Sequence, residues 1–252
     1  MGNADSLTYV GHGTVLLDVD GTRLLTDPLL RKRVGPLVRQ GPAPGPEIVE
    51  DLDAVLISHL HHDHADLGSL RRLDRGTPLW VPPGSGEFFE RQGFTAVGEL
   101  APGETTRVGA LTVGGVNAAH EGGGRRFAKE ARAIGFLVEG DRRIYFAGDT
   151  DFFPGMEDLG PELDLALLPV WGWGPNVGEG HLTPAGAARA AAAISPRLAV
   201  PIHWGTLYPF GLRRLRENPL RLPGDEFAAR LRELAPQVET RVLSPGDSTS
   251  LA

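Results

Sequence analysis

Four histidines and an aspartate crowd into six residues, in the run Ser58-His59-Leu60-His61-His62-Asp63-His64. The other histidines are His12, His120, His181 and His203, and there is no cysteine. Without cysteine, disulfides, thiolate sites, cysteine nucleophiles and iron–sulfur clusters are excluded. Imidazole and carboxylate remain as donors for a first-row metal ion. The run follows the apolar stretch Val55-Leu56-Ile57-Ser58. Positions just beyond the C-terminal end of a buried strand are a usual place for a site in an α/β sheet. His59 and His61 stand two apart, so an extended backbone turns both to one side. Asp63 and His64 follow where the chain must bend toward a predicted helix at 67. The segment can therefore hand two donors to each of two adjacent metal ions. His62 points away from its neighbours and is read as taking no part. So many histidines in one place are costly unless a metal or other partners satisfy them.

Strands must place this run and its distant partners. Residues 7–10, 14–20 and 22–28 read as strands, with a hairpin turn at Asp20-Gly21. The Pro/Gly-rich segment 35–50 reads as a long loop. Strands are expected at 53–59 and 78–82, with short helices at 67–75 and 85–93. Further strands follow around 94–97, 105–108 and 111–120, and a hairpin over 133–150 turns at Gly140-Asp141. The apolar stretch 164–170 predicts a buried strand. The helix over 183–195 opens on Thr183 as its cap and Pro184 in its first turn. A strand at 197–204, a loop at 205–223, a helix at 224–236 and a strand at 238–243 complete the chain. No shift in composition marks a boundary, so one domain spanning 1–252 is expected.

The chain has 252 residues, 41% of them hydrophobic and 23% charged, with a formal charge of −7. These proportions are those of a soluble globular protein, and they exclude disordered and fibrous classes. No stretch approaches the roughly 20 apolar residues of a membrane span. The opening residues carry no basic-then-apolar leader, which predicts a cytoplasmic protein. The acidic balance argues against nucleic acid as the main partner, because neutralising phosphates needs a basic face.

His59-x-His61-x-Asp63-His64 resembles the HxHxDH motif of the metallo-β-lactamase superfamily. The remaining pieces follow in the expected order, each at a predicted strand end: His120, Asp149 within Phe146-Ala147-Gly148-Asp149-Thr150, and His203. The resemblance implies an α/β fold, a four-layer αβ/βα sandwich of two mixed sheets with outer helices. It also implies that His59, His61 and His120 bind one metal. Asp63, His64 and His203 would bind a second, and Asp149 would bridge the two. The cofactors expected are two divalent ions, zinc foremost, with manganese or iron as alternatives. The activity implied is hydrolysis by a metal-bridging hydroxide, with Asp63 orienting the nucleophile.

The flanks narrow the resemblance. Tyr9-Val10-Gly11-His12-Gly13-Thr14 with Leu25-Thr26-Asp27-Pro28 resembles the opening of one branch. His181-Leu182-Thr183-Pro184 and Pro201-Ile202-His203-Trp204-Gly205-Thr206 resemble its closing segment. That branch includes N-acyl-phosphatidylethanolamine-hydrolysing phospholipase D and ascorbate-6-phosphate lactonase-like proteins. The substrate implied is a small-molecule phosphodiester or a lactone. The alternatives are a tRNA-processing-type nuclease and a non-catalytic metal-binding protein. His181 is expected to donate a proton or to meet the substrate phosphate. His12 and Asp27 are expected to orient metal-binding side chains, and Thr150 to stand beside the metals or the substrate. Arg125 and Arg126 are candidates to meet a phosphate. Trp171, Trp173, Phe152 and Phe153 are candidates to line an apolar pocket.

Overall fold

The computed structural model describes residues 4–122, 131–160, 162–171, 178–211 and 220–251. Two seven-stranded sheets form the frame. The first runs, edge to edge, Ser248–Ser250, Ser6–Gly11, Thr14–Val19, Thr22–Thr26, Ala54–Leu56, Leu79–Val81 and Val97–Glu99. Its first four strands pair antiparallel, and its last four pair parallel. The second runs Glu239–Thr240, Leu198–Ile202, Leu165–Pro169, Arg143–Phe146, Ile134–Glu139, Leu111–Asn117 and Thr105–Val108. It too is parallel on one side and antiparallel on the other.

Side chains alternate across the first sheet, as a period of two requires. Leu7, Val15, Leu17, Leu24, Ala54 and Leu56 enter the core shared with the second sheet. Val10, Leu16, Leu25, Val55 and Ile57 face the other way. There they pack against Leu70, Phe88 and Phe89 of the short helices Leu67–Leu70 and Gly86–Glu90. The second sheet is covered by Pro184–Ile194 and Leu222–Leu234. The alanines of the former allow close approach, and Ala187, Ala188, Ala190 and Ala191 are buried without exposed surface. Thr183 caps this helix by accepting from the Gly186 amide, and Pro184 opens it. This is an α/β fold of two mixed sheets with outer helices, as expected.

The segment 35–50 is not one loop. Leu37–Arg39 pairs with Arg33–Val34 and with Leu207–Pro209 in a small third sheet, and Pro46–Val49 forms a 3-10 turn. Three-residue strands between glycines and prolines are too short to show a period. The edge strand Ser248–Ser250 escapes notice for the same reason, being polar and short. Among the described residues no helix is long and apolar enough to cross a membrane.

Candidate metal centre

The side chains singled out lie where strands end. The Ala54–Leu56 strand delivers Ser58 and His59, and the Ser58 carbonyl is fixed by the Ile134 amide at 2.9 Å. The Ser58 amide and hydroxyl both donate to Asp27, at 2.7 and 2.5 Å. With its proton committed to Asp27, the Ser58 oxygen accepts from Nδ1 of His59 at 3.0 Å. That leaves Nε2 of His59 as a bare lone pair. It lies 3.1 Å from Nδ1 of His61. Nε2 of His120 lies 3.2 Å from the same atom. His120 donates from Nδ1 to the Gly180 carbonyl at 3.0 Å, so its Nε2 is bare as well.

The amides of His64 and Ala65 both donate to the His61 carbonyl, at 3.1 and 2.9 Å. This turn carries Asp63 and His64 to a second group of donors. His64 donates from Nδ1 to Asp27 at 2.8 Å, and His203 donates from Nδ1 to the Trp171 carbonyl. Their Nε2 atoms face each other at 3.0 Å. Nε2 of His12 lies 2.9 Å from Oδ2 of Asp63.

Asp149 stands between the groups. Its Oδ2 lies 3.3 Å from Nε2 of His64, 3.5 Å from Nε2 of His181 and 3.9 Å from Nε2 of His59. Its Oδ1 lies 3.3 Å from Nε2 of His203 but makes no hydrogen bond, although it is buried. Bare nitrogens aimed at one another around an unpaired carboxylate oxygen call for a cation. His59, His61 and His120 can hold one, and so can His12, Asp63, His64 and His203. The donors are all nitrogen and oxygen, which suits a divalent first-row ion.

The backbone is held in unusual conformations here. His12, Asp27 and His203 have φ of 59°, 33° and 63°, in the left-handed region that non-glycine residues seldom enter. The His203 amide donates to the His12 carbonyl at 2.9 Å, locking two of these turns together.

Burial keeps most of the imidazoles neutral. It pushes His59 well below its ordinary pKa, lowers His61, and takes His120 to about 4 and His203 to about 3. Neutral imidazole is the form that binds metal. Burial alone would raise Asp63 and Asp149. The His12 hydrogen bond and the neighbouring His64 hold Asp63 down, and the surrounding imidazoles of His203, His64 and His181 hold Asp149 down. Against the opposing effect of burial, His64 is raised by Asp149 and Asp27. His181 is raised by its contact with Asp149.

His61, His120 and His181 open onto a cleft whose other walls include Pro83, Pro102 and Ala133. His181 is a quarter exposed there and donates from Nδ1 to the Glu179 carbonyl at 3.0 Å. His62 is exposed and stands apart from the cluster. Thr150 accepts from the Ala119 amide and donates to the Asp151 carbonyl, tying the Asp149 loop to the end of the strand before His120. Phe153 is in the core, Phe152 is exposed, and Trp171 is half-buried. Trp171 reaches the cluster through its carbonyl rather than its ring. Arg125, Arg126 and Trp173 lie outside the described residues. Ser58 is the support that sequence reasoning passed over, although it stands inside the run. The carbonyls of Trp171 and Gly180 leave no signal in side-chain identity.

Residues 22–204 match the Beta-lactamase superfamily domain. A UPF0173 metal-dependent hydrolase of Rubrobacter xylanophilus is 34% identical over 258 residues, covering 96% of this chain and 94% of that protein. N-acyl-phosphatidylethanolamine-hydrolyzing phospholipase D 1 of Caenorhabditis elegans is 33% identical over 232 residues, covering 81% of this chain. The match spans only 64% of that relative's length. Among solved structures, Igni18, a metallo hydrolase from the archaeon Ignicoccus hospitalis, superposes with a TM-score of 0.71 at 23% identity, covering 98% of both chains. The chain belongs to the β-lactamase superfamily of metal-dependent hydrolases.

Proposed function

We propose that the chain is a single-domain hydrolase that works with two divalent ions and cleaves a phosphodiester or a lactone. In this reading His59, His61 and His120 hold one ion, and Asp63, His64 and His203 hold the other. Asp149, which stands between the two groups, would help to hold both. The observation that carries the reading is the pairing of bare imidazole nitrogens around the unpartnered Oδ1 of Asp149. When bound, such ions acidify a water to a pKa near ~7 and polarise the ester. The residues of the chain do the rest. Asp63, held by His12, accepts a hydrogen bond from the attacking water and orients it, and the proton that this water loses passes to solvent. The water adds at phosphorus or at the carbonyl carbon, and the bond to the leaving oxygen breaks. His181 holds its transferable proton at Nε2 and gives it to that oxygen. Its Nδ1 is already engaged with Glu179 and so fixes the ring.

The phosphodiester arm draws support from the relative named for hydrolysing a phosphatidylethanolamine, itself a phosphodiester. Zinc, manganese and iron all suit the donors. The test is a paired assay on metal-reconstituted protein. A chromogenic phosphodiester and a panel of lactones are each assayed with and without chelator, against Asp149→Ala. Chelator-sensitive turnover that vanishes in Asp149→Ala is expected. Unchanged turnover in chelator-washed, metal-free protein would overturn the reading.

A further inference from the structure

Arg39 is buried, at 6% exposure, far from any surface role. Its Nη1 donates to the Val10 carbonyl at 2.9 Å, and its Nη2 donates to the Leu29 carbonyl. Its Nε is buried without a hydrogen-bond partner. No carboxylate pairs with it among the described residues, and burial lowers its pKa to about 10, so it stays charged at neutral pH. Burying a charge without a counter-charge is costly, and here the two carbonyls are the partners that offset the cost.

The two carbonyls are informative. Val10 stands two residues before His12, which contacts Asp63. Leu29 stands two residues after Asp27, which contacts His64. The strand of Arg39 also pairs with Leu207–Pro209, and the Gln40 amide donates to the Thr206 carbonyl at 2.8 Å. Thr206 in turn accepts from the His12 amide through its hydroxyl at 2.7 Å. A Cβ at Gly11 would lie 2.6 Å from the Thr206 hydroxyl oxygen and 3.0 Å from Nη1 of Arg39. Only glycine, with φ of 124°, lets this turn close on the guanidinium. The Arg39 side chain therefore ties together the turns bearing His12 and Asp27, while the backbone of its own strand holds the segment leaving His203. Of the other half, His61 and His120 take their support elsewhere, from the turn at 61–65 and from the Gly180 carbonyl, and His59 depends on Asp27 only through Ser58, which the Ile134 amide also holds at its carbonyl.

We propose that Arg39 is a positioning residue for one half of the site, the half formed by Asp63, His64 and His203. It acts through the backbone turns that aim His12 and Asp27. The inference rests on the two-ion reading above, and its test separates the two. Chelator-stripped wild type, Arg39→Met and Arg39→Lys are titrated with Zn²⁺ against a competing indicator, with near-ultraviolet circular dichroism as the check on fold. Wild type is expected to take up two ions. In Arg39→Met one ion should bind within about threefold of wild type, while the other weakens ~10–100-fold, the range seen when a ligand's support is lost. Arg39→Lys keeps the charge but reaches one carbonyl, so the same ion should weaken to an intermediate degree. If Arg39→Met does not fold, Arg39→Lys decides.

His203→Ala identifies the half-site. The ion it retains should bind equally well in His203→Ala and in His203→Ala combined with Arg39→Lys. Wild-type affinity for both ions in the folded Arg39 variants would overturn the role of Arg39 and leave the two-ion reading intact. So would equal weakening of both ions, or tighter binding of either. Uptake of a single ion by wild type would overturn the two-ion reading itself.

Discussion

Oδ2 of Asp27 lies 2.8 Å from Nδ1 of His64, with both side chains buried and the two residues 37 positions apart in sequence. The same carboxylate accepts the amide and hydroxyl of Ser58. Asp27 thus fixes the tautomer of His64 directly and that of His59 through Ser58. Asp27→Asn keeps the shape but brings an NH₂ where only acceptors fit. Metal affinity should fall ~10–100-fold, read by titration of the stripped protein. Binding of wild-type strength would show that Asp27 does not set these rings.

His181 faces the cleft and touches Asp149 at 3.5 Å, yet its ring is anchored outside the buried cluster. His181→Ala should lower kcat by ~10²–10⁴ if the ring donates a proton. Metal content, measured by elemental analysis, should stay at the wild-type level. Loss of metal with the activity would make His181 a ligand instead.

Gly148 has φ of 61°, and a Cβ there would sit 2.6 Å from Cβ of Ser58. Gly148→Ala combines a strained backbone with a clash against the residue that orients His59. A loss of about 1–3 kcal/mol in stability is expected, together with weaker metal binding. Denaturant midpoints and metal titration check both, and a neutral outcome in each would refute the packing argument.

Tyr9 donates its hydroxyl to the Trp204 carbonyl at 2.6 Å, and burial raises its pKa to about 12. An acid raised on folding stabilises the fold fully below its unfolded pKa, near ~10, and loses that contribution as pH rises toward its folded value. Unfolding free energy should therefore drop by about 2–3 kcal/mol on this account between pH ~10 and ~12. Tyr9→Phe should flatten that part of the curve while costing about 1 kcal/mol at neutral pH. An unchanged alkaline slope in Tyr9→Phe would count against the assignment.

Much of the frame is legible without coordinates. Leu7, Val15, Leu17 and Leu24 alternate with residues that face the other way, and that period of two is a property of the chain itself. The Thr183 and Pro184 start of the alanine helix is equally local. Leu37–Arg39 and Ser248–Ser250 are strands only because partners lie beside them, so segments so short give no periodic signal.

The histidine run and the strand ends at His120, Asp149 and His203 are likewise written in the sequence. Residue type sets the donors available, and apolar strands set where the chain must stop and turn. Tertiary structure alone decided what each ring nitrogen faces. Trp171 orients His203 by a carbonyl, Gly180 does so for His120, and Arg39 reaches two turns by their carbonyls. Every residue carries the same carbonyl, so these contacts leave no trace in residue identity. The left-handed turns at His12, Asp27 and His203 belong with them, because long-range contacts, not local preference, hold histidine and aspartate there.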